Sequence, residues 1–304
     1  MANTSNICRL AMGLPQHSAG EFDRIVFNYG SVRIGAFRCH PNHARFHDSG
    51  PATNCCFVFP RTAVKIQHEN APAFVANPNV VAFYNSGQAY RRNAISPEGD
   101  RCDWFGVDSD IVLEAVQALD PKVNSRPEHP FRFTRSSCDS STYLLQRRVY
   151  TRISSEKAQD PLAVEECVLH MLERILSSAY TDPLNTESLG NRPQRCDIIH
   201  DLEAILSQCW EEPLTIREIA GKVGLTPYHV CHLFRTATGT TLHQYRQRLR
   251  LRGSLENVIE SRRLLIDIAL DSGFASHSHF TNAFHREFAE TPSAVRGGSA
   301  AARH

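Results

Sequence analysis

Short hydrophobic runs broken by turn residues fill the chain from about residue 20 to residue 107. The runs are rich in β-branched and aromatic residues, and polar breaks containing Gly or Pro, such as Asp48–Pro51 and Ser96–Asp100, predict turns between them. The predicted strands are Arg24–Phe27, Ser31–Cys39, Cys55–Pro60, Ala63–His68, Val80–Tyr84 and Cys102–Val107. This succession of short strands predicts an antiparallel sandwich or barrel.

After Ser109 the apolar positions recur with the period of a helix. Predicted helices cover Ile111–Leu119, Tyr143–Ile153 and Leu162–Ala179. The third carries a broad apolar stripe, which fits either an intramolecular core or a dimer seam. The stripe consists of Val164, Cys167, Val168, Met171, Leu172, Ile175 and Leu176.

These patterns divide the chain into two folded regions. Residues 181–195 contain two prolines, one glycine and several polar residues, which predicts a linker. The expected fold class is α+β, with a β-domain and its following helices over residues 1–180 and an all-helical domain over 196–296. Residues 297–304 are expected to form a flexible tail.

The helical region contains one sequence pattern twice. An Ile-Ala pair is followed by a glycine four residues after the alanine, at Gly224 and Gly273, and then by Thr226 or Ser276 before a helix that carries phenylalanines. A left-handed glycine ends one helix, and a Thr or Ser side chain caps the next. Together they describe a helix-turn-helix, and two copies about 49 residues apart are far more specific than one.

The segment Thr241–Ile259 between the copies predicts a helix about 28 Å long at the helical rise. Because DNA repeats its groove every ~34 Å, this connector suits two recognition helices in successive major-groove segments. It is also basic, although a run of charge is common on an ordinary solvated face. Its arginines, with no acidic residue among them, are Arg246, Arg248, Arg250 and Arg252.

Helix geometry separates inward from outward positions in the two candidate recognition helices. The inward faces are formed by Val230, Leu233 and Phe234 in the first and by Phe280, Ala283, Phe284 and Phe288 in the second. The outward positions are Tyr228, Cys231, His232 and Arg235 in the first and His277, Ser278, Thr281, Asn282, His285 and Arg286 in the second.

The helical region resembles the C-terminal DNA-binding domain of the AraC/XylS family of bacterial transcription regulators over Asp197–Arg296. The most specific positions are Ile219-Ala220, Gly224, Phe234, Gly239-Thr-Thr-Leu242, Tyr245, Leu249-Arg-Leu251, Ile268-Ala269, Gly273-Phe274, Phe280, Phe284 and Thr291-Pro292 with Arg296. The chain departs from the family pattern at Ala289, where glycine is common.

The resemblance implies a sequence-specific regulator that binds double-stranded promoter DNA, with RNA polymerase as a further candidate partner. It implies base contacts by Tyr228, Cys231, His232, His277, Ser278, Thr281 and Asn282. We expect phosphate contacts from Arg235, Arg246, Arg250, His285 and Arg286. An amide such as that of Asn282 can bond adenine in two places.

The N-terminal region resembles the cupin-like sensor domain that precedes many AraC-type DNA-binding domains, chiefly at Asn77–Val81 and Asn85–Tyr90. This resemblance implies a small-molecule effector inside the barrel and a homodimer formed through a following helix, Tyr143–Ile153 or Leu162–Ala179. Residues expected to line the effector pocket are Tyr84, Tyr90, Arg101 and Trp104.

Cysteine and histidine residues leave two alternative hypotheses open. The segment Cys39–His47 and the pair Cys55-Cys56 suggest a metal- or thiol-responsive transcription sensor. A cupin enzyme fused to a DNA-binding module is the other alternative. A catalytic cupin normally has an H-x-H pair with a later carboxylate, which we do not find here, and we expect no enzyme activity, cofactor or metal.

Composition limits the class of protein. The 304 residues are 41% hydrophobic and 21% charged, which fits a folded protein and excludes a disordered or collagen-like chain. The net charge of +1 means that a nucleic-acid signal must come from local arrangement. The chain lacks a run of ~18 apolar residues and signal-peptide order at its start, so we expect a cytoplasmic protein with reduced cysteines and no membrane partner.

Overall fold

The computed structural model describes residues 22–155, 159–183, 185, 193–208, 210–212 and 214–301. The predicted α+β class is confirmed, with strands first and helices after them. The strands are β1 Asp23–Tyr29, β2 Val32–Cys39, β3 Cys55–Pro60, β4 Val64–His68, β5 Phe74–Ala76, β6 Val80–Tyr84, β7 Tyr90–Ala94, β8 Asp100–Val107 and β9 Arg135–Ser137. The helices are α1 Ser109–Gln117, α2 Ser140–Ser154, α3 Pro161–Thr181, α4 Pro193–Gln208, α5 Ile216–Lys222, α6 Pro227–Thr238, α7 Leu242–Glu260, α8 Leu265–Asp271, α9 His277–Phe288 and α10 Pro292–Ala301.

The strands form two antiparallel sheets. One has the order β1-β2-β8-β3-β6-β9 and the other the order β5-β4-β7. Side chains alternate across each strand, so Phe57 on β3 and Phe105 on β8 pack against the helices, while Val58 and Cys102 pack toward the smaller sheet. The inner strands of the larger sheet are therefore buried on both faces, whereas its edge strand β1 is largely exposed.

Three strands were not predicted, and two of them, β7 and β9, are polar edge strands. The sequence of β7 is Tyr-Arg-Arg-Asn-Ala, which shows no apolar alternation because its buried inward residue is Arg92. The sequence of β9 is Arg-Ser-Ser, and its Arg135 is held by Glu203 of α4 at 2.7 Å. Hydrogen bonding and ion pairing, rather than hydrophobic pattern, explain why these segments form strands.

The apolar stripe of α3 is intramolecular core. Val168, Met171 and Leu172 are buried in the same cluster as Phe57 and Phe105 of the large sheet. The inward residues of α2 belong to this cluster as well. The alternative interpretation of the α3 stripe as a dimer seam is therefore wrong. The stripe covers the apolar face of the large sheet of its own chain.

Both helix-turn-helix copies are present, with matching turns. Gly224 and Gly273 adopt left-handed φ values of 67° and 74°. In each copy, the amide of the residue after the glycine, Leu225 or Phe274, donates to the carbonyl of the equivalent alanine, Ala220 or Ala269, at 3.0 Å. The sequence interpretation of these two turns is confirmed.

The second copy is packed against the N-terminal region. Its core, including Phe280 and Phe284, belongs to the same hydrophobic cluster as Tyr143 of α2. Arg252 of α7 is 2% exposed and donates to the carbonyls of Pro78 at 2.8 Å and Cys138 at 2.7 Å. The two predicted regions thus share an interior.

The limits of the second region differ from those expected. Helix α4 begins at Pro193, and α10 continues to Ala301 through much of the expected tail. Most of the predicted linker, residues 184 and 186–192, lies outside the described residues, as do 302–304. No helix within the described ranges combines the length and apolar character needed to cross a lipid bilayer.

Candidate functional site

Helix α6 presents a polar, aromatic surface at its N-terminal half. The Thr226 hydroxyl accepts the His229 amide at 3.3 Å and fixes the start of the helix. Tyr228 is 74% exposed, and its ring stacks on that of His232 with centroids 6.1 Å apart. Cys231 is half-buried beside them. This surface can offer hydroxyl and imidazole groups to a ligand, and Arg235 lies exposed one turn further along the helix.

Helix α9 presents the equivalent surface in the second copy. Ser276 caps the helix by accepting the His279 amide at 3.2 Å. The inward face is the predicted one, since Phe280, Ala283, Phe284 and Phe288 are buried. The exposed positions include His277, Ser278, Asn282, His285 and Arg286.

Thr281 does not match the predicted outward role. Its hydroxyl is buried and has no hydrogen-bond partner within the described part of the chain. The reason is its position at the margin of the inward face, directly after Phe280. The expectation of a base contact by the Thr281 hydroxyl is therefore corrected, and Asn282 is the exposed amide of this turn.

Arg250 is held by backbone carbonyls rather than directed outward. Its guanidinium donates to Trp210 at 2.5 Å, to Gly273 at 2.9 Å and to Glu211 at 3.1 Å. It thus joins the connector α7 to the turn of the second copy. The expectation that Arg250 contacts phosphate is therefore corrected. Its guanidinium N–H groups already donate to backbone carbonyls and hold the structure together.

The other connector arginines also make contacts within the chain. Arg246 donates to the Glu212 carbonyl at 3.2 Å while staying partly exposed. Arg248 pairs with Glu287 of α9 at 3.1 Å. The basic run seen in the sequence therefore serves largely to tie α7 to its neighbours.

A second site is a cavity of about 250 Å³ beside the large sheet. Tyr84, Tyr90 and Trp104 line it together, as expected. Arg101 does not, because successive residues of β8 point to opposite faces. It instead donates to Glu98 at 2.7 Å and to Glu256 of α7 at 3.0 Å.

Asp100 lines the cavity, a role that the sequence analysis did not assign to it. Arg92 is buried and pairs with Asp100 at 2.8 Å. Burial raises the pKa of Asp100, although Arg92 acts against that shift. The sequence offered little signal for this pair, because Asp100 falls in a predicted turn and the strand that carries Arg92 was not predicted.

The cysteine and histidine residues singled out in the sequence are not assembled into a metal site in the described part of the chain. Cys55 faces the helices and Cys56 faces the cavity, because they are adjacent residues of one strand. Burial raises the pKa of the Cys56 thiol, which disfavours the reactive thiolate. Within the described residues, no three His, Cys, Asp or Glu side chains are grouped so that they could hold a metal ion, those of Cys39–His47 included.

The helical region is similar in sequence to known DNA-binding proteins. The profile of a family described as "Helix-turn-helix domain" matches residues 219–298. The chain is 36% identical to the regulatory protein SoxS of Salmonella typhimurium over 81 residues, which are 27% of this chain and 76% of SoxS. It is 35% identical to the probable transcription factor PqrA of Proteus vulgaris over 81 residues, 27% of this chain and 66% of PqrA. A crystal structure of ToxT from Vibrio cholerae aligns over 89% of this chain and 98% of ToxT, with 13% identity and a TM-score of 0.38.

Proposed function

The chain belongs to the AraC/XylS family of DNA-binding transcription regulators, and from this premise we propose that it recognises a specific promoter sequence with α6 and α9 in two successive major-groove segments. The α7 connector between these helices has 19 residues, or about 28 Å of helix. That length is close to the ~34 Å repeat of the groove. The N-terminal region is proposed to bind an effector that controls DNA binding.

The duplicated turn is the observation that carries this proposal. Both copies have the same left-handed glycine, the same hydroxyl cap and the same buried phenylalanine face. The residues of the first turns of α6 and α9 are exposed. Such helix N-termini favour phosphate groups and place the following side chains at base edges.

We assign roles by exposure. Base contacts are proposed for Tyr228, Cys231, His232, His277, Ser278 and Asn282. Phosphate contacts are proposed for the exposed Arg235, His285 and Arg286. They are also proposed for Arg246, which is half-buried but, unlike Arg250, donates to carbonyls of the described residues through Nη1 alone. Asn282 is the most specific of these, because an amide matches the donor and acceptor of adenine.

Strand β8 connects the cavity to α7, so it can transmit a change at the cavity to the DNA-binding helices. Asp100, Cys102 and Trp104 line the cavity. The alternate residues contact the other side, where Arg101 meets Glu256 and the buried Asp103 accepts from Arg147 at 2.5 Å. A ligand that moves β8 would therefore change the docking of α7.

Three further expectations come from the sequence alone. A homodimer, contact with RNA polymerase and a cytoplasmic location stay predictions. The dimer must use residues other than the buried α3 stripe.

A binding titration tests the proposed function. The full chain is titrated with a duplex from its own promoter and with a scrambled duplex at several salt concentrations. We expect tighter binding to the promoter and a log–log salt slope of about −0.9 per phosphate neutralised. Equal affinity for both duplexes would contradict sequence-specific recognition.

Matched arginine variants test the surface itself. Arg235→Ala should weaken binding to both duplexes and make the salt slope about one unit shallower. Arg152→Ala, an exposed arginine of α2, serves as the control and should leave both affinities unchanged. If both variants behave alike, α6 is not the phosphate-contacting surface.

A further inference from the structure

The cavity beside the large sheet has walls of unusual chemistry for its size. Its volume of about 250 Å³ lies just below the ~300–1,000 Å³ typical of sites for drug-sized ligands, which favours a small ligand. Aromatic rings and carboxylates line it together. These are Phe22, Phe37, Tyr84, Tyr90 and Trp104, with Asp23 and Asp100.

Two of these aromatic rings already contact a cationic side chain of the protein, Arg92. The guanidinium of Arg92 lies 4.3 Å from the ring centroid of Phe37 and 5.2 Å from that of Tyr90. Asp100 pairs with it at 2.8 Å. The negative π faces and the carboxylate thus stabilise a positive charge inside the protein. Asp100 is already neutralised by this pair.

Asp23 supplies the second carboxylate. Its Oδ1 accepts the Trp104 indole N–H at 2.6 Å, which joins the carboxylate to an aromatic wall. No lysine or arginine among the described residues forms an ion pair with Asp23. Asp23 as a whole residue is exposed, but partial desolvation of its carboxyl raises its pKa against the opposing Trp104 hydrogen bond, so a nearby cation would stabilise its charged form.

Gly35 fixes the orientation of this wall. A side chain there would lie 2.4 Å from the Trp104 ring, so glycine is what allows the indole to lie over β2. Arg45 also lines the cavity, but it lies at the exposed rim, where its guanidinium donates to the Ser49 carbonyl at 3.1 Å. An anion in the interior would face Asp23 and the π faces, whereas a cation would be attracted by both.

We propose that the cavity binds a small organic cation, a protonated amine or quaternary ammonium ion, beside Asp23 and against the rings of Trp104 and Tyr84. This inference rests on the proposed function in that it names the chemical class of the effector. The aromatic surface excludes water around the alkyl groups, and the carboxylate selects for charge.

The test compares three probes of the same shape and different charge. They are choline, the neutral 3,3-dimethylbutanol and the anionic 3,3-dimethylbutyrate. The full chain carries Trp210→Phe, so that Trp104 is the remaining tryptophan, and binding is followed by its fluorescence and by calorimetry. We expect saturable binding of choline at least tenfold tighter than of the neutral probe and no binding of the anion. Equal affinity for choline and the alcohol, preference for the anion, or no binding of choline would overturn the proposal.

Matched carboxylate variants locate the site. Asp23→Asn should weaken choline binding about tenfold and leave the neutral probe unchanged. Asp110→Asn, an exposed carboxylate of α1, should change neither. Equal loss of both probes in Asp23→Asn would mean that charge is not recognised, which would overturn the inference.

DNA titration of the same preparations separates the two proposals. A chain that binds its promoter specifically but ignores choline refutes the ligand class alone. A chain that binds choline through Asp23 but shows no preference for the promoter refutes the proposed function alone.

Discussion

At the scale of single residues, Ala289 shows how the two copies differ in their helix ends. Gly239 ends α6 with φ of 70°, and Ala289 ends α9 with φ of 58°. An L-residue in this left-handed region costs about 1–2 kcal/mol, which glycine avoids. The sequence showed the departure from glycine, and the structure shows that the unfavourable backbone conformation is nevertheless kept.

Single substitutions at these two positions should change the stability of the protein in opposite directions. Ala289→Gly should raise the free energy of unfolding by about 0.5–1 kcal/mol, because the relief of strain exceeds the added freedom of the unfolded chain. Gly239→Ala should lower it by about 1 kcal/mol, and no steric clash contributes, since a Cβ there meets nothing within 4 Å. Urea denaturation measures both. A loss of stability in Ala289→Gly would show that the left-handed strain is absent.

A second residue-scale prediction separates base reading from anchoring. Asn282→Ala should weaken binding to the promoter duplex by about 1–3 kcal/mol and leave scrambled DNA nearly unaffected. Arg286→Ala should weaken both duplexes and make the salt slope about one unit shallower, since an exposed arginine neutralises phosphate irrespective of sequence. Titration at several salt concentrations distinguishes them. Equal losses on both duplexes for Asn282→Ala would remove it from the base-reading set.

At the scale of elements, β8 has two faces with different roles, which the sequence analysis did not assign. Its apolar pattern predicted a strand, and period-two alternation could have placed Arg101 and Trp104 on opposite faces. Which face meets the cavity depends on pairing with β2 and β3, which are distant in sequence. The strand itself was therefore predictable, whereas its role in docking α7 required tertiary structure.

Strand β8 and the residue that follows it offer a matched test of buried and exposed ion pairs. Asp103 is fully buried and pairs with Arg147, whose guanidinium also contacts Glu260. Asp103→Asn should lower the free energy of unfolding by about 3–5 kcal/mol, because it leaves a buried charge poorly compensated. Asp108→Asn, which removes the partly exposed pair with Arg33, should cost less than about 1 kcal/mol. Similar costs in urea denaturation would mean that the Asp103 pair is accessible to solvent.

At the scale of the whole molecule, the two helix-turn-helix copies have different surroundings. The hydrophobic core of the first, which includes Leu202, Phe234 and Leu249, is drawn from α4 to α7, and the hydroxyl of its Tyr245 accepts from Asn77 of the N-terminal region at 2.8 Å. The second packs in the cluster that includes the sheet and α2. The sequence predicted both copies from local pattern, but it could not predict that one shares its core with the N-terminal region, because no local signal records that contact.

This asymmetry predicts how an isolated fragment of residues 193–301 behaves. The fragment should fold as a helical unit, because the first cluster lies entirely within it. The second copy should be less stable than in the full chain, since it loses the packing of Tyr143 and the carbonyl partners of Arg252 on Pro78 and Cys138. Glu203 also loses its buried partner Arg135, but it lies on α4 and becomes accessible to water.

Amide hydrogen exchange resolves the two copies separately. In the fragment, α6 should keep most of its protection while α9 loses more, and removal of the N-terminal region should reduce promoter affinity chiefly through the second copy. The full chain is the control, in which both helices should be strongly protected. Because destabilisation of α9 adds a folding cost to binding, promoter DNA should restore its protection in the fragment. Equal protection of α6 and α9 in the free fragment would show that the second copy is independent of the N-terminal core, and the route from β8 through α7 to the DNA would then lack its structural basis.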